Sequence, residues 1–422
     1  MSKSLISYLS YSSPSSLLSR SALPKGVVFV IGNRSCDLDS VFSSVSLAYF
    51  YKHLYDPFAG GDAASDNGAR ADSAPEERIF VPVLNCVKGK DFDNKHDLNL
   101  MMKNYQIDAG DLWDLNHFVD YVKSNDGVAD VCLVDHNRLD LSGASNCQIF
   151  ATADKKESEA EIDKIAKKIN ILSIHDHHVD EGDGKSDSAV EKHIRVPTGS
   201  CCSVVYGYVK AALKIAPTSS IPENLSYCIL ITVYVDTNGM DESSGKVTQA
   251  DRDCVNDMLS SLNITHSDAL KLYQAVVNAR FDVGLWKSFT LSQSIKMDYK
   301  LYNERVGVSS VLLGGEDVLL KECDLDIVDV GVDCVLLMCV KRSGSGSGSG
   351  GVTRELLLLQ ATPDAGSDDF NSISRFIEAN EELDATLCRE EVRWRRNVKV
   401  WKQGNAKISR KLLLPMLREA NI

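Results

Sequence analysis

A chain of 422 residues with 44% apolar side chains can fill two hydrophobic cores, so two domains are expected. Its formal net charge of −13 excludes a nucleic-acid or anionic-membrane binder that acts through its average field, and any anion it handles must meet local basic residues. No apolar run approaches the ~20 residues that a membrane-spanning helix needs, and twelve cysteines without a Cys-x-x-Cys pair read as reduced thiols, so a soluble cytoplasmic protein is expected.

Residues 2–25 are serine-rich and free of acids, with Lys3, Arg20 and Lys25, a faint organelle-transit pattern. The competing reading is structural: Leu5, Ile6, Tyr8, Leu9, Leu17 and Leu18 suit short amphipathic helices beside the first strand. That strand is the β-branched run ending at Gly32, after which a short loop presents Asp37 and Asp39 ahead of a helix carrying Val41, Val45, Ala48 and Tyr49 on one face. Two carboxylates one residue apart at a strand end can each reach a divalent cation. Alone, Asp-x-Asp-Ser fits a helix cap equally well.

Residues 59–76 are small, polar and aperiodic, and read as a mobile surface insertion. A strand over Ile79 to Val83, a polar stretch with Lys88, Lys90, Lys95 and His96, and a helix from Asp97 to Tyr105 follow. The apolar run Val128 to Val134 ends in Asp135-His136-Asn137. After a charged helix, Lys155 to Lys168, the run Ile169 to Ile174 leads to Asp176-His177-His178. Strands separated by helices and ending in polar groups predict an α/β fold with a mostly parallel sheet and a crevice at its carboxyl edge. Pro197 to Ser203 opens a helix whose N–H groups could accept an anion. Leu225 to Val235, ending in Asp236-Thr237, is ambiguous between helix and strand.

Helices continue to Arg280, and the domain boundary is placed near Phe281 to Ser288, giving domains 1–284 and 289–422. The second, smaller α/β domain has candidate strands at Val306 to Leu313, Ile327 to Val340 and Thr353 to Gln360, with a Gly/Ser loop at Ser343 to Gly351. From Arg389 to Lys411 nine Lys or Arg stand against two Glu, before an apolar Leu-Leu-Leu-Pro stretch read as a strand.

Asn33, Asp37, Asp39, Asp135, His177, His178 and Asp236 all fall at these element ends. Four carboxylates in one cleft would repel at prohibitive cost unless cations neutralised them. Carboxylate-rich ligation with imidazole suits two or more Mg²⁺ or Mn²⁺ ions, with Zn²⁺ or Co²⁺ possible. The duller alternatives are caps for Asp135 and Asp236 and a hydrogen-bonded core role for either histidine.

The motifs Asn33-x3-Asp37-x-Asp39-Ser40, Asp135-His136-Asn137, Asp176-His177-His178 and Asp236-Thr237 resemble the four metal-binding motifs of the DHH phosphoesterases. Ser409-Arg410-Lys411 and Asp298-Tyr299-Lys300 resemble the phosphate-gripping motifs of the second domain shared by family II inorganic pyrophosphatases and fungal and trypanosomatid exopolyphosphatases. The resemblance implies metal ligation by Asp37, Asp39, Asp135, His177 and Asp236, an active site in the cleft between the domains, and a His178 that donates a proton to the leaving oxygen. It implies that Asp176 orients the histidine loop, and that Asn33, His136, Lys300, Arg410 and Lys411 contact substrate. Asn33 stands where family II pyrophosphatases have a histidine ligand, which favours the exopolyphosphatase branch; prune-type proteins share Asn33 but usually carry arginine at the position of His178.

The resemblance implies an exopolyphosphatase acting on linear inorganic polyphosphate as a monomer, with no nucleic-acid or membrane partner, in the cytoplasm or a polyphosphate-storing organelle. A pyrophosphatase or cyclic-nucleotide phosphodiesterase is the enzymatic alternative, and a scaffold with an unused metal pocket the non-enzymatic one.

Overall fold

The computed structural model describes residues 4–19, 26–54, 78–89, 92, 95–125, 128–141, 143–144, 147–150, 155–180, 190–297, 299–303, 305–321, 332–342, 352–361 and 368–420. The polar stretch at 59–76, the Gly/Ser loop at 343–351, Lys90 and Asp298 therefore lie outside the described residues, as do the side chains of Lys300 and Lys411. The chain divides into two compact units, Met1–Arg280 and Phe281–Ile422.

In the first unit, β1 (Val27–Ile31), β2 (Ile79–Val83), β3 (Ala129–Val134), β4 (Ile169–Asp176) and β5 (Glu191–Ile194) form one parallel sheet in the order β2-β1-β3-β4-β5. Its central strands are apolar on both sides because both sides are covered. Val28 and Val30 of β1 pack under α1 (Leu5–Ser12), α3 (Leu38–His53), α7 (Cys201–Leu213), α8 (Glu223–Asp236), α9 (Gln249–Leu262) and α10 (His266–Arg280). Val27, Phe29 and Ile31 face the opposite layer, where Leu17 of α2 (Pro14–Leu18) and Leu115, Phe118 and Val122 of α5 (Leu115–Ser124) sit. The serine-rich leader thus forms the two short helices its apolar spacing suggests, and Tyr8 donates its hydroxyl to the Phe80 carbonyl of β2 at 2.7 Å.

The order places successive strands on either side of β1. The switch point lies between β1 and β3, and a doubly wound sheet opens its crevice there, at the carboxyl ends of the strands.

The ambiguous run Leu225–Val235 is helical, within α8. It shows no amphipathic period because α3, α7, α9 and α10 surround it, so its residues are buried on every side. Asp236 consequently ends a helix and not a strand.

In the second unit, six strands run in the order β10-β11-β9-β8-β7-β6: β6 (Tyr299–Tyr302), β7 (Val306–Val311), β8 (Cys334–Arg342), β9 (Val352–Gln360), β10 (Ala385–Arg393) and β11 (Arg396–Gln403). Only the β7–β8 pairing is parallel. Leu356 and Leu358 point toward α14 (Asp368–Ala379) and α15 (Arg410–Glu419), while Leu357 and Leu359 meet α11 (Val283–Ser288), α12 (Leu291–Lys296) and α13 (Gly315–Leu319).

Near the end of the chain one tract gains its form and one expectation is corrected. The basic tract is largely a β-hairpin, β10–β11, whose charges pair outward: Arg389 with Glu316 at 2.6 Å and Lys399 with Glu390 at 3.4 Å. The Leu-Leu-Leu-Pro stretch is not a strand but the middle of α15, where Leu413 and Leu417, one turn apart, bury themselves against the sheet.

Candidate metal centre

The loop after β1 is shaped by a close approach. A Cβ on Gly32 would lie 2.3 Å from Ser40 Oγ and 2.7 Å from the Ser40 carbonyl oxygen, so only glycine lets the first turn of α3 sit against the strand end. Asp37 is the N-cap of α3, accepting from the Ser40 N–H at 3.1 Å and from Ser35 Oγ at 2.8 Å. The capping alternative is therefore real, and its half-buried carboxylate also faces the acids described below.

Asp39 crosses to another helix. One oxygen accepts from Ser200 Oγ at 2.8 Å and the Cys202 N–H at 3.0 Å, the other from the Cys201 N–H at 2.7 Å. The anion received at the start of α7 is thus the protein's own carboxylate, placed where the helix dipole favours it. Asp251 closes the preceding turn, accepting from the Gly199 N–H at 2.9 Å and the Ser200 N–H at 3.3 Å.

Across the switch point, Asp135 follows β3 with φ +63°, a left-handed conformation uncommon for a side chain with a Cβ. It is buried. Asn33 Nδ2 donates to its Oδ2 at 2.6 Å, joining the loops after β1 and β3, and His177 Nε2 lies 3.1 Å from its Oδ1. Burial, then the charges of Asp39, Asp37 and Asp176, pushes the Asp135 carboxyl well above the usual range, against the Asn33 hydrogen bond.

Asp176, at the end of β4, is fully buried and accepts four hydrogen bonds: from the His177 N–H at 2.8 Å, the His178 N–H at 3.2 Å, His178 Nδ1 at 2.8 Å and Asn137 Nδ2 at 2.7 Å. Burial alone would raise its pKa; the bonds from His178 and Asn137 outweigh that and hold it below the ordinary value. It orients the histidine loop.

His177 Nδ1 is 3.1 Å from the Thr198 carbonyl oxygen, which can only accept, so Nδ1 carries a proton and the ring is oriented with Nε2 toward Asp135 and Asp39. His178 likewise donates Nδ1–H to Asp176, leaving Nε2 on a ring that is more than half exposed. His136 donates Nδ1–H to the Val134 carbonyl at 2.8 Å; its Nε2 is buried with no hydrogen-bond partner, and burial lowers its pKa and keeps the ring neutral.

Asp236 completes the group. Its Oδ2 is buried without a hydrogen-bond partner, and burial, then Asp39, Asp37 and Asp135, raises its pKa strongly while His177 opposes. A carboxylate at a helix C-terminus among three other acids, with one oxygen buried and without a hydrogen-bond partner, fits a cation. Ligand atoms of Asp135, Asp176, His177 and His178 lie within 4.8 Å of one another. An oxygen-rich set with imidazole suits a hard or borderline divalent ion.

The structure thus brings Asn33, Asp37, Asp39, Asp135, His136, Asp176, His177, His178 and Asp236 together in the first unit. Asn137, next to the Asp135-His136 pair in sequence, adds a role that the motif alone does not assign: its Nδ2 donates to Asp176 Oδ2 and to the Val179 carbonyl. In the second unit, Lys300 lies on β6 and Arg410 heads α15, and β7 adjoins both elements. Lys95 Nζ donates to the Ser35 carbonyl at 2.7 Å and so anchors the Asp37 loop, and His96 opens α4 (His96–Asn104). Lys88 is turned inward, donating to the Leu112 carbonyl.

Residues 27–233 match the family described as DHH family, N-terminal domain. A Schizosaccharomyces pombe protein named as an exopolyphosphatase is 25% identical over 93% of this chain and 90% of its own length. Human exopolyphosphatase PRUNE1 is 23% identical over 93% of this chain and 75% of its own. A Methanococcus jannaschii crystal structure, named as a family II inorganic pyrophosphatase, superposes with a TM-score of 0.51 at 16% identity, covering 93% of this chain and 99% of that one, and so shares the fold. Spanning the parallel sheet and the motifs at Asn33 to Ser40, Asp135 to Asn137 and Asp176 to His178, residues 27–233 are a DHH family N-terminal domain, in a chain similar to proteins named as exopolyphosphatases.

Proposed function

We propose that this protein is a metal-dependent exopolyphosphatase that releases terminal orthophosphate from linear inorganic polyphosphate. The observation that carries the reading is the convergence of Asp135, His177 and Asp236, whose buried Oδ2 has no hydrogen-bond partner, in a chain with relatives named as exopolyphosphatases.

Asp37, Asp39, Asp135, His177 and Asp236 would hold two or more divalent cations, Mg²⁺ or Mn²⁺ in the first instance and Zn²⁺ or Co²⁺ as alternatives. Such ions supply Lewis acidity toward phosphoryl oxygens and a more acidic water. The residues around them do the rest. Asp176 fixes the His178 ring through Nδ1, so that Nε2 on the exposed side can hold a proton and deliver it to the leaving phosphate oxygen. Asn33 keeps Asp135 aimed by donating to its Oδ2, and His136 offers a neutral ring with an available acceptor nitrogen. Lys300, Arg410 and Lys411, on the motifs that resemble phosphate-gripping ones, would supply charge for non-bridging oxygens, Arg410 in the paired geometry that guanidinium permits.

The test is orthophosphate release from tripolyphosphate, long-chain polyphosphate and pyrophosphate, and AMP formation from cyclic AMP, each with Mg²⁺ and with Mn²⁺. Metal-dependent turnover of the polyphosphates, exceeding that of pyrophosphate and cyclic AMP, is expected. Preference for pyrophosphate or cyclic AMP would overturn the substrate, and no metal-dependent turnover on any of them would overturn the enzyme.

A further inference from the structure

Arg280 belongs to none of the motifs. It ends α10, and its Nε donates to Asp97 Oδ2 at 2.6 Å, in the first turn of α4, while Asp97 Oδ1 accepts from the Leu98 N–H at 2.9 Å. Two residues before Asp97, Lys95 ties the same turn of α4 to the Ser35 carbonyl, two residues before Asp37. The guanidinium is therefore brought to the Asp37 side of the acidic crevice, with its side chain about one-third exposed (37%). Burial disfavours its charge, but Asp97, and then Asp37 and Asp236, more than offset this and keep it protonated.

A crevice of acids repels a polyanion, so the rim must carry fixed positive charge for a phosphate chain to enter. Lys95 is engaged with the Ser35 backbone, and a guanidinium carries five N–H donors in a fixed fork, so the Nε bond to Asp97 holds the group in place without using up its capacity to donate to oxygen pairs. We propose that Arg280 is a substrate-binding residue that meets non-bridging oxygens of the phosphate chain at the mouth of the acidic crevice, with Asp97 holding it in position. This rests on the phosphoesterase reading of the site. The competing role is structural, in which Arg280 merely neutralises Asp97.

Calorimetric binding of imidodiphosphate, a pyrophosphate analogue with a nitrogen bridge, in Mg²⁺ tests it on wild type, R280Q and R280K, with thermal midpoints recorded for each. Weakening by about tenfold or more in R280Q is expected, with R280K, which keeps a cation near Asp97, between it and wild type. On tripolyphosphate the loss is expected in KM, with kcat nearly unchanged. If R280Q fails to fold, R280K decides alone by the same readouts. Binding within about twofold of wild type in the folded variants, or a loss confined to kcat, would overturn the assignment. Failure of wild type itself to bind the analogue would overturn the phosphoesterase reading and this inference with it, an outcome distinct from one in which wild type binds and the variants match it.

Discussion

Asp236 ends α8 where helix carbonyls already disfavour negative charge, and burial and neighbouring acids raise its pKa strongly. Asn keeps the shape and removes the charge. D236N is therefore expected to melt at or above the wild-type temperature when metal-stripped, and to lose most of the stabilisation that Mn²⁺ gives wild type; scanning fluorimetry with and without Mn²⁺ checks both. Asp135 sets the pH dependence of the stripped protein. Its folded pKa lies above its unfolded one, so the folded chain binds more protons and stability falls as pH rises above about 4 toward the folded value. Asp176 acts oppositely: its lowered pKa contributes stability above the unfolded carboxylate value that is lost only as pH falls through the folded one. Stripped protein should thus melt at progressively lower temperature from mildly acidic to neutral pH, with Mn²⁺ abolishing the decline; a rise over that range would contradict the assignment. These acids were legible in the sequence because each ends an apolar run. Arg280 was not, since a lone arginine at a helix end reads as solvated charge, and only the approach of α4 to the β1 loop gives it a neighbourhood.

At the scale of elements, two contacts fix the site. Asp39 joins α3 to the start of α7, and D39N, which replaces an acceptor by a partial donor facing N–H groups, is expected to cost about 2–3 kcal/mol in urea unfolding. Gly32 brings α3 onto β1, and G32A meets Ser40 backbone as well as its side chain, so a loss of about 2 kcal/mol or more is expected by the same measurement. Stability unchanged in either variant would contradict the account of how the loops are held. Sequence reading found the parallel strands because a sheet covered on both faces needs unbroken apolar runs. It left α8 open because a helix buried all round loses its period. It missed β10 and β11 because their alternating charges, paired across strands and with nearby acids, resemble a polar helix face.

For the whole molecule, each unit carries its own core, and the acid-and-histidine cluster lies entirely within the first. The central claim is that these acids gather to hold divalent cations. Calorimetric titration of Mn²⁺ into metal-stripped protein tests it directly: wild type is predicted to bind saturably, with D135N and H177Q losing about tenfold or more in affinity. Wild type showing no saturable binding, or D135N and H177Q binding as tightly as wild type, would contradict it.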